Sequence, residues 1–182
     1  MIKKILVAIS DGIEEIETVC VVDTLVRAGA EVVTASVGGH KEVLCSRGVR
    51  IHADHLIDEC IDHAYDMIVL PGGMPGAEHL RDCDALVGML KKQKAAGKWY
   101  AAICASPALV LQTHGLLEGL KATCYPSMLG NLSDGVEERV VVDGKCVTSQ
   151  GPGTAMEFAL MLVEVLYGVA QRNEVARAML VY

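Results

Sequence analysis

The chain alternates between two hydrophobic rhythms. Short apolar runs bounded by turn residues read as buried strands, and between them lie longer segments whose apolar positions recur at helical spacing. "KKILVAIS" is a strand of the buried kind, "GIEEIETVCVVDTLVRAGA" a helix closing near Gly29, and "EVVTASV" a second strand. "GGHKEVLCSRGVRIHADH" instead carries two short alternating runs around Gly38-Gly39 and Arg47-Gly48, the pattern of a small antiparallel excursion. The first rhythm then resumes with a short helix at "LIDECID", strand "YDMIVL", the connector "PGG", and one helix through "AEHLRDCDALVGMLKKQKAAG". Strand "WYAAIC", helix "SPALVLQTHGLL" and strand "KATCY" come next. "RVVVDGKCVTS" reads as a hairpin turning on Asp143-Gly144, followed by helices "GTAMEFALMLVEVLYG" and "QRNEVARAMLVY".

Strands alternating with helices over most of the length predict an α/β sandwich with a mainly parallel sheet. No repeat, low-complexity stretch or linker interrupts the pattern, so residues 1–182 are expected to form one domain. In such folds the ligand site lies outside the carboxyl ends of the strands. Three loops at such ends therefore matter most: "SDGIEEIE", "PGGMPGAE" and "CASP".

Composition narrows the partners. Hydrophobic residues make up 52% of the 182 against 21% charged, which fits a globular protein, and no apolar run is long enough to span a bilayer. A net charge of −7 without a basic cluster argues against nucleic acid, whose phosphates demand Lys and Arg, and leaves a small molecule or another protein. Two lysines before the first apolar run faintly suggest a signal peptide, but that run is short and no small-residue cleavage site follows it. The expectation is a cytoplasmic protein. Seven cysteines stand singly, without CxxC or zinc-type spacing, as reduced thiols would; no metal and no cofactor is expected.

One cysteine sits differently. In Ala102-Ile103-Cys104-Ala105-Ser106, small residues flank Cys104 two positions away on either side, as a sharp strand-to-helix turn requires. Pro107 suits a first helical turn, and a thiol at a helix start faces free amide hydrogens and the positive end of the helix dipole, which favour the thiolate. Spacing alone leaves a second reading open, in which Cys104 is a small core hydrophobe. "LPGGMPG" offers the amides of Gly72 and Gly73 to a substrate oxygen; read blandly, it is a glycine-rich connector. In "EEIE", Glu14 and Glu15 read as carboxylates favourably placed at a helix N-terminus. Glu17 sits further in among apolar residues, so at least one carboxylate of this run is expected to be partly buried, its pKa raised, as an acid able to exchange a proton with a thiolate; periodicity does not settle which glutamate it is, because from Ile16 to Val26 the helix is apolar on most sides. None of the six histidines belongs to a recognisable catalytic pair.

"DGIEEIETV", "VLPGGMPGAEHL", "AAICASPALVL" and "TSQGPGTAMEFAL", in that order and over nearly the whole chain, resemble the ThiJ/PfpI superfamily, in the branch of the parkinsonism-associated protein deglycase and bacterial ThiJ-like chaperones. The resemblance implies a flavodoxin-like α/β three-layer sandwich, a homodimer, a reactive cysteine at Cys104 that oxidises readily to sulfinic acid, and a neighbouring glutamate at Glu17. It also implies oxyanion or substrate-binding roles for Gly72, Gly73 and Ala105, and places Arg47 and Arg27 near the pocket or dimer interface. The protease-like branch carries a histidine immediately after its cysteine, where Ala105 stands here, so peptidase or amidotransferase activity ranks last. Animal members of the closer branch carry His-Pro where this chain has Tyr125-Pro126, so proton transfer falls chiefly to Glu17.

The function expected is a cofactor-independent glyoxalase or protein deglycase, acting on methylglyoxal or its protein adducts through the Cys104 thiolate, with a role in oxidative and carbonyl stress defence. Its partners would be a small reactive aldehyde or a glycated protein. The alternative is a non-enzymatic redox sensor and chaperone, in which oxidation of Cys104 changes partner binding.

Overall fold

The computed structural model describes residues 2–181. Strand β1 (Lys4–Ile9) leads through helix α1 (Glu15–Arg27) to strand β2 (Glu31–Ser36). An antiparallel pair, β3 (Glu42–Leu44) and β4 (Arg50–His52), forms a separate two-stranded sheet. Strand β5 (His55–Leu56), a 3-10 turn at Ile57–Cys60 and strand β6 (Met67–Leu70) follow, then helices α2 (Gly76–Arg81) and α3 (Asp84–Ala95) and strand β7 (Trp99–Ile103). Beyond a π-helix at Pro107–Gln112 and a 3-10 segment at Pro126–Asn131, the hairpin of β8 (Val140–Asp143) and β9 (Cys146–Ser149) leads to α4 (Ala155–Tyr167) and α5 (Val169–Ala178).

The seven-stranded sheet runs β5-β2-β1-β6-β7-β9-β8, parallel throughout except for β8 against β9. The strand order reverses between β1 and β6, so the loops leaving these two strands diverge and open a crevice there. The next strand, β7, ends at Ile103, immediately before Cys104.

Each face of the sheet has its own core, as the two-residue strand period dictates. Ile5, Val7 and Ile9 of β1 pack with Val21 and Leu25 of α1 and Phe158 and Leu162 of α4. Leu6 and Ala8 face the other way, toward Leu80 of α2, Leu86 and Leu90 of α3, and Val110 and Leu111. This is the flavodoxin-like three-layer sandwich with its small antiparallel excursion.

Several elements depart from the hydrophobic pattern. The helix expected over residues 77–97 is two helices, because Cys83 is extended (φ −88°, ψ 99°) and the Asp82 side chain is drawn into a bidentate pair with Arg81 at 2.7 and 2.9 Å. The helix expected after the elbow shrinks to a single π-helical stretch of six residues; Gly115, at φ +70°, lies in the turns beyond. "KATCY" is not a strand: Ala122 makes one bridge to Gly135, and the Thr123 amide donates to the Thr148 side chain at 2.9 Å instead of joining a main-chain ladder. The short helix at "LIDECID" is a 3-10 turn.

Candidate active site

Cys104 has φ +65°, a left-handed backbone that a side chain rarely adopts. The surroundings over-determine it. Its amide donates to the Ser149 carbonyl at 3.0 Å, its carbonyl accepts from the Tyr125 amide at 2.8 Å, and two residues on the buried Ser106 hydroxyl donates to the Pro71 carbonyl at 2.5 Å. Cys104 is half-buried: its side chain packs against the core on the α4 face and also opens on a cavity of about 400 Å³.

The two glycines after β6 serve different ends. A Cβ on Gly72 would stand 2.5 Å from the Cys104 Cβ and 3.0 Å from its sulfur, so only a glycine lets the two loops meet. Gly72 does not offer its amide to a substrate, as the sequence suggests it could, because that N–H donates to Glu17 Oε2 at 2.7 Å. Gly73, at φ +89°, packs against the backbone of Gly12, Ile13 and Glu14 and lines the cavity. Its amide and that of Ala105 both point at the Cys104 sulfur.

Glu17 lies under the cysteine. It is fully buried in the second half of the first turn of α1, and its carboxyl reaches the Cys104 thiol. Oε1 makes no conventional hydrogen bond, which leaves the thiol as the polar group it addresses. Burial, reinforced by the nearby charge of Glu14 and only partly opposed by the Gly72 amide and the thiol, raises the Glu17 carboxyl to about 7. Burial and the Glu17 carboxylate together push the Cys104 thiol up to about 12, against the lowering influence of the Gly73 and Ala105 amides.

The helix that would supply a dipole at the elbow is one short π-helical stretch, and the charge beside the thiol is the Glu17 carboxylate, so burial and that charge act against its ionisation while the two amides favour it.

Arg47 sits on the cavity wall, its guanidinium donating to the Ser46 carbonyl at 3.2 Å. Arg27 lies elsewhere, exposed near the end of α1 and paired with Asp23 at 2.7 Å. Sequence reasoning missed the anchor of the Arg47 loop. Buried Glu15 accepts from the Arg47 amide at 3.0 Å, the Ser46 hydroxyl at 3.2 Å and the Val49 amide at 3.5 Å. Burial alone would raise the Glu15 carboxyl, but these hydrogen bonds outweigh it and hold it below the ordinary value. Glu14, also on the cavity wall, accepts from Ser46 at 3.0 Å. Nothing in "EEIE" distinguishes these tasks, since the partners lie some thirty residues away. Met74, Tyr125, Met128 and Pro152 supply the cavity's apolar side. Among the described residues, no group of three or more His, Cys, Asp or Glu side chains is placed to hold a metal ion, and no helix is long and apolar enough to cross a membrane.

Residues 3–165 match the DJ-1/PfpI family. The chain is 52% identical to Protein DJ-1 homolog B of Arabidopsis thaliana over 98% of its own length and 41% of that relative's. It spans a similar 46% of Protein DJ-1 homolog A of the same plant, so the chain is less than half as long as these two curated relatives. It is 35% identical to the Caenorhabditis elegans protein named glutathione-independent glyoxalase DJR-1.2, over 90% of this chain and 88% of that one. Among solved structures, oxidized Toxoplasma gondii DJ-1 superposes with a TM-score of 0.96 at 53% identity, covering 98% of both chains.

Proposed function

The chain belongs to the DJ-1/PfpI family, and from that premise and the geometry around Cys104 we propose that it is a cofactor-independent glyoxalase or protein deglycase. The observation that carries the reading is the Glu17 carboxyl, buried against the thiol of a cysteine held at positive φ over an open cavity. A relative of similar length is named for glyoxalase activity.

The chemistry needs one nucleophile and one proton carrier. Glu17, as carboxylate, takes the thiol proton while the Cys104 sulfur bonds to the aldehyde carbon of methylglyoxal, and the carbonyl electron pair becomes an oxyanion. The Gly73 and Ala105 amides, which bear on the Cys104 sulfur in the resting site, are the donors that would hold that oxygen until Glu17 returns the proton to it. Glu17 then removes the hydrogen on the attacked carbon and delivers it to the neighbouring carbonyl carbon, while the hydroxyl proton passes to the other oxygen. The result is a thioester. Water cleaves it, releasing lactate and the free thiol, so that aldehyde plus water gives hydroxyacid with no outside oxidant. A carboxyl near 7 suits both directions of this transfer. A hemithioacetal or hemiaminal formed on a protein would enter the same sequence as it releases its aldehyde.

Lactate release from methylglyoxal by the wild type, Cys104→Ala and Glu17→Gln tests this. Loss of turnover in the Cys104 variant and a fall of about a hundredfold or more with Glu17→Gln are expected; wild-type rates in either variant refute the mechanism. A second reading, a redox sensor and chaperone, draws on the solved structure of the Toxoplasma relative being that of an oxidized protein. Oxidation-dependent suppression of client aggregation without turnover would favour it. Exposed Ile16, Val19 and Val26 on α1, with Val49, offer the face on which a homodimer would form, and Arg27 lies on the same helix. Sedimentation of the wild type against Val19→Glu reads that.

A further inference from the structure

Tyr125 lines the same cavity as Cys104 and takes no part in the chemistry above. Its amide donates to the Cys104 carbonyl at 2.8 Å, so the residue is tied to the elbow by its main chain, and Pro126 begins a 3-10 segment immediately after it. The ring is seated on Gly151, where a Cβ would meet its Cδ2 at 3.4 Å and its Cε2 at 3.8 Å. It remains 45% exposed. Two thioethers, Met74 and Met128, line the same cavity, and Met74 is itself half exposed. An aromatic ring seated on a glycine in a cavity that two methionines also line is an adaptable apolar grip for a planar group, because rings stack and thioethers pack favourably on ring edges. A cavity of about 400 Å³ also far exceeds what a three-carbon aldehyde fills.

We propose that Tyr125 is a specificity-determining residue, and that its ring, with Met74 and Met128, binds an aromatic or bulky apolar substituent on the carbonyl carbon next to the aldehyde that Cys104 attacks. The site then selects α-oxoaldehydes with an aryl or bulky alkyl substituent over methylglyoxal. This rests on the functional reading above. The substituent is remote from the bonds that change, so it is held equally before and during reaction, and its loss is felt in KM and not in kcat.

The experiment measures kcat and KM with phenylglyoxal and with methylglyoxal, following the hydroxyacid products. For Tyr125→Ala, the ratio of kcat/KM for phenylglyoxal to that for methylglyoxal falls about five- to tenfold, through KM for phenylglyoxal. Tyr125→Phe keeps the wild-type ratio, since the ring face does the binding. Met74→Ala, at a half-exposed position on the cavity wall, lowers the ratio in the same direction. An unchanged ratio in Tyr125→Ala and Met74→Ala, or an equal loss in Tyr125→Phe, overturns the proposal. If the wild type converts neither aldehyde, the functional reading fails instead, and the grip is judged by calorimetry on Cys104→Ala with two unreactive α-ketoacids. Tighter binding of benzoylformate than of pyruvate, abolished by adding Tyr125→Ala, supports it; equal affinities overturn it.

Discussion

Gly72 and Cys104 approach so closely that a single methyl group on the glycine would stand 2.5 Å from the cysteine Cβ. The contact joins the loop after β6 to the elbow after β7, and the Ser106 hydroxyl on the Pro71 carbonyl joins them a second time. A Gly72→Ala protein must separate the two loops or move the sulfur. Overpacking of this kind costs about 1–3 kcal/mol, so the variant should unfold at lower denaturant and lose turnover with the fold otherwise intact. Urea titration alongside methylglyoxal turnover decides: wild-type stability and rate together would show that the close approach is dispensable.

Burial of Glu17 gives stability an unusual dependence on pH. The carboxyl rises from 4.5 to about 7 on folding, so the folded chain holds a proton that the unfolded chain has released between those values. The contribution is fully present below 4.5 and is lost as pH climbs through 7, a loss worth about 3 kcal/mol at most. Glu17→Gln keeps an oxygen for the Gly72 amide but has no charge to bury. It should therefore match the wild type near pH 5 and exceed it in stability at pH 8. A variant that is less stable than the wild type at pH 8 would mean that the ionised carboxylate is well accommodated where it lies.

Glu15 makes a contrasting prediction. Its carboxylate holds the backbone of Arg47 and Val49 and the hydroxyl of Ser46, so Glu15→Ala frees that loop at the cavity wall. Hydrogen bonds to a charged group contribute about 1.5–3 kcal/mol each net of exchange with water, and the destabilisation should be at least about 2 kcal/mol. Amide exchange at Arg47 and Val49 should accelerate while that of β1 stays slow. Unchanged exchange at both amides would assign the loop's order to other contacts.

The elbow could be read from the chain because its requirement is local: small residues on either side of one cysteine at the end of an apolar strand. Glu17 was legible only through the family motif, because α1 is apolar on most sides and its pattern does not single out one glutamate. The task of Gly72 was not, since a glycine offered for its amide looks the same in sequence as one needed for its missing side chain; only the distance to Cys104 separates them. The same holds for Glu15, whose partners come from the antiparallel excursion. Thr123 shows the limit for secondary structure. "KATCY" has the composition of a strand, yet its amide is taken by a threonine hydroxyl on β9, a tertiary event that no local pattern encodes.

The sharpest test is the reactivity of the sulfur itself. Two influences raise the thiol, burial first and the Glu17 carboxylate second, and only the second can be removed without disturbing the elbow. Iodoacetamide reacts with the thiolate, so the pH at which Cys104 alkylation accelerates reports its ionisation. In the wild type, acceleration should begin well above neutrality, in line with a thiol pushed up to about 12. In Glu17→Gln the repulsive charge is gone while the Gly73 and Ala105 amides still point at the sulfur, and the acceleration should move to lower pH. Turnover should nevertheless fall, because the variant has lost the group that carries the proton. Faster alkylation with slower catalysis separates a base that acts during the reaction from one that merely tunes the resting thiol. If the two rates rise together, Glu17 serves only to suppress ionisation, and the proton must travel by another route.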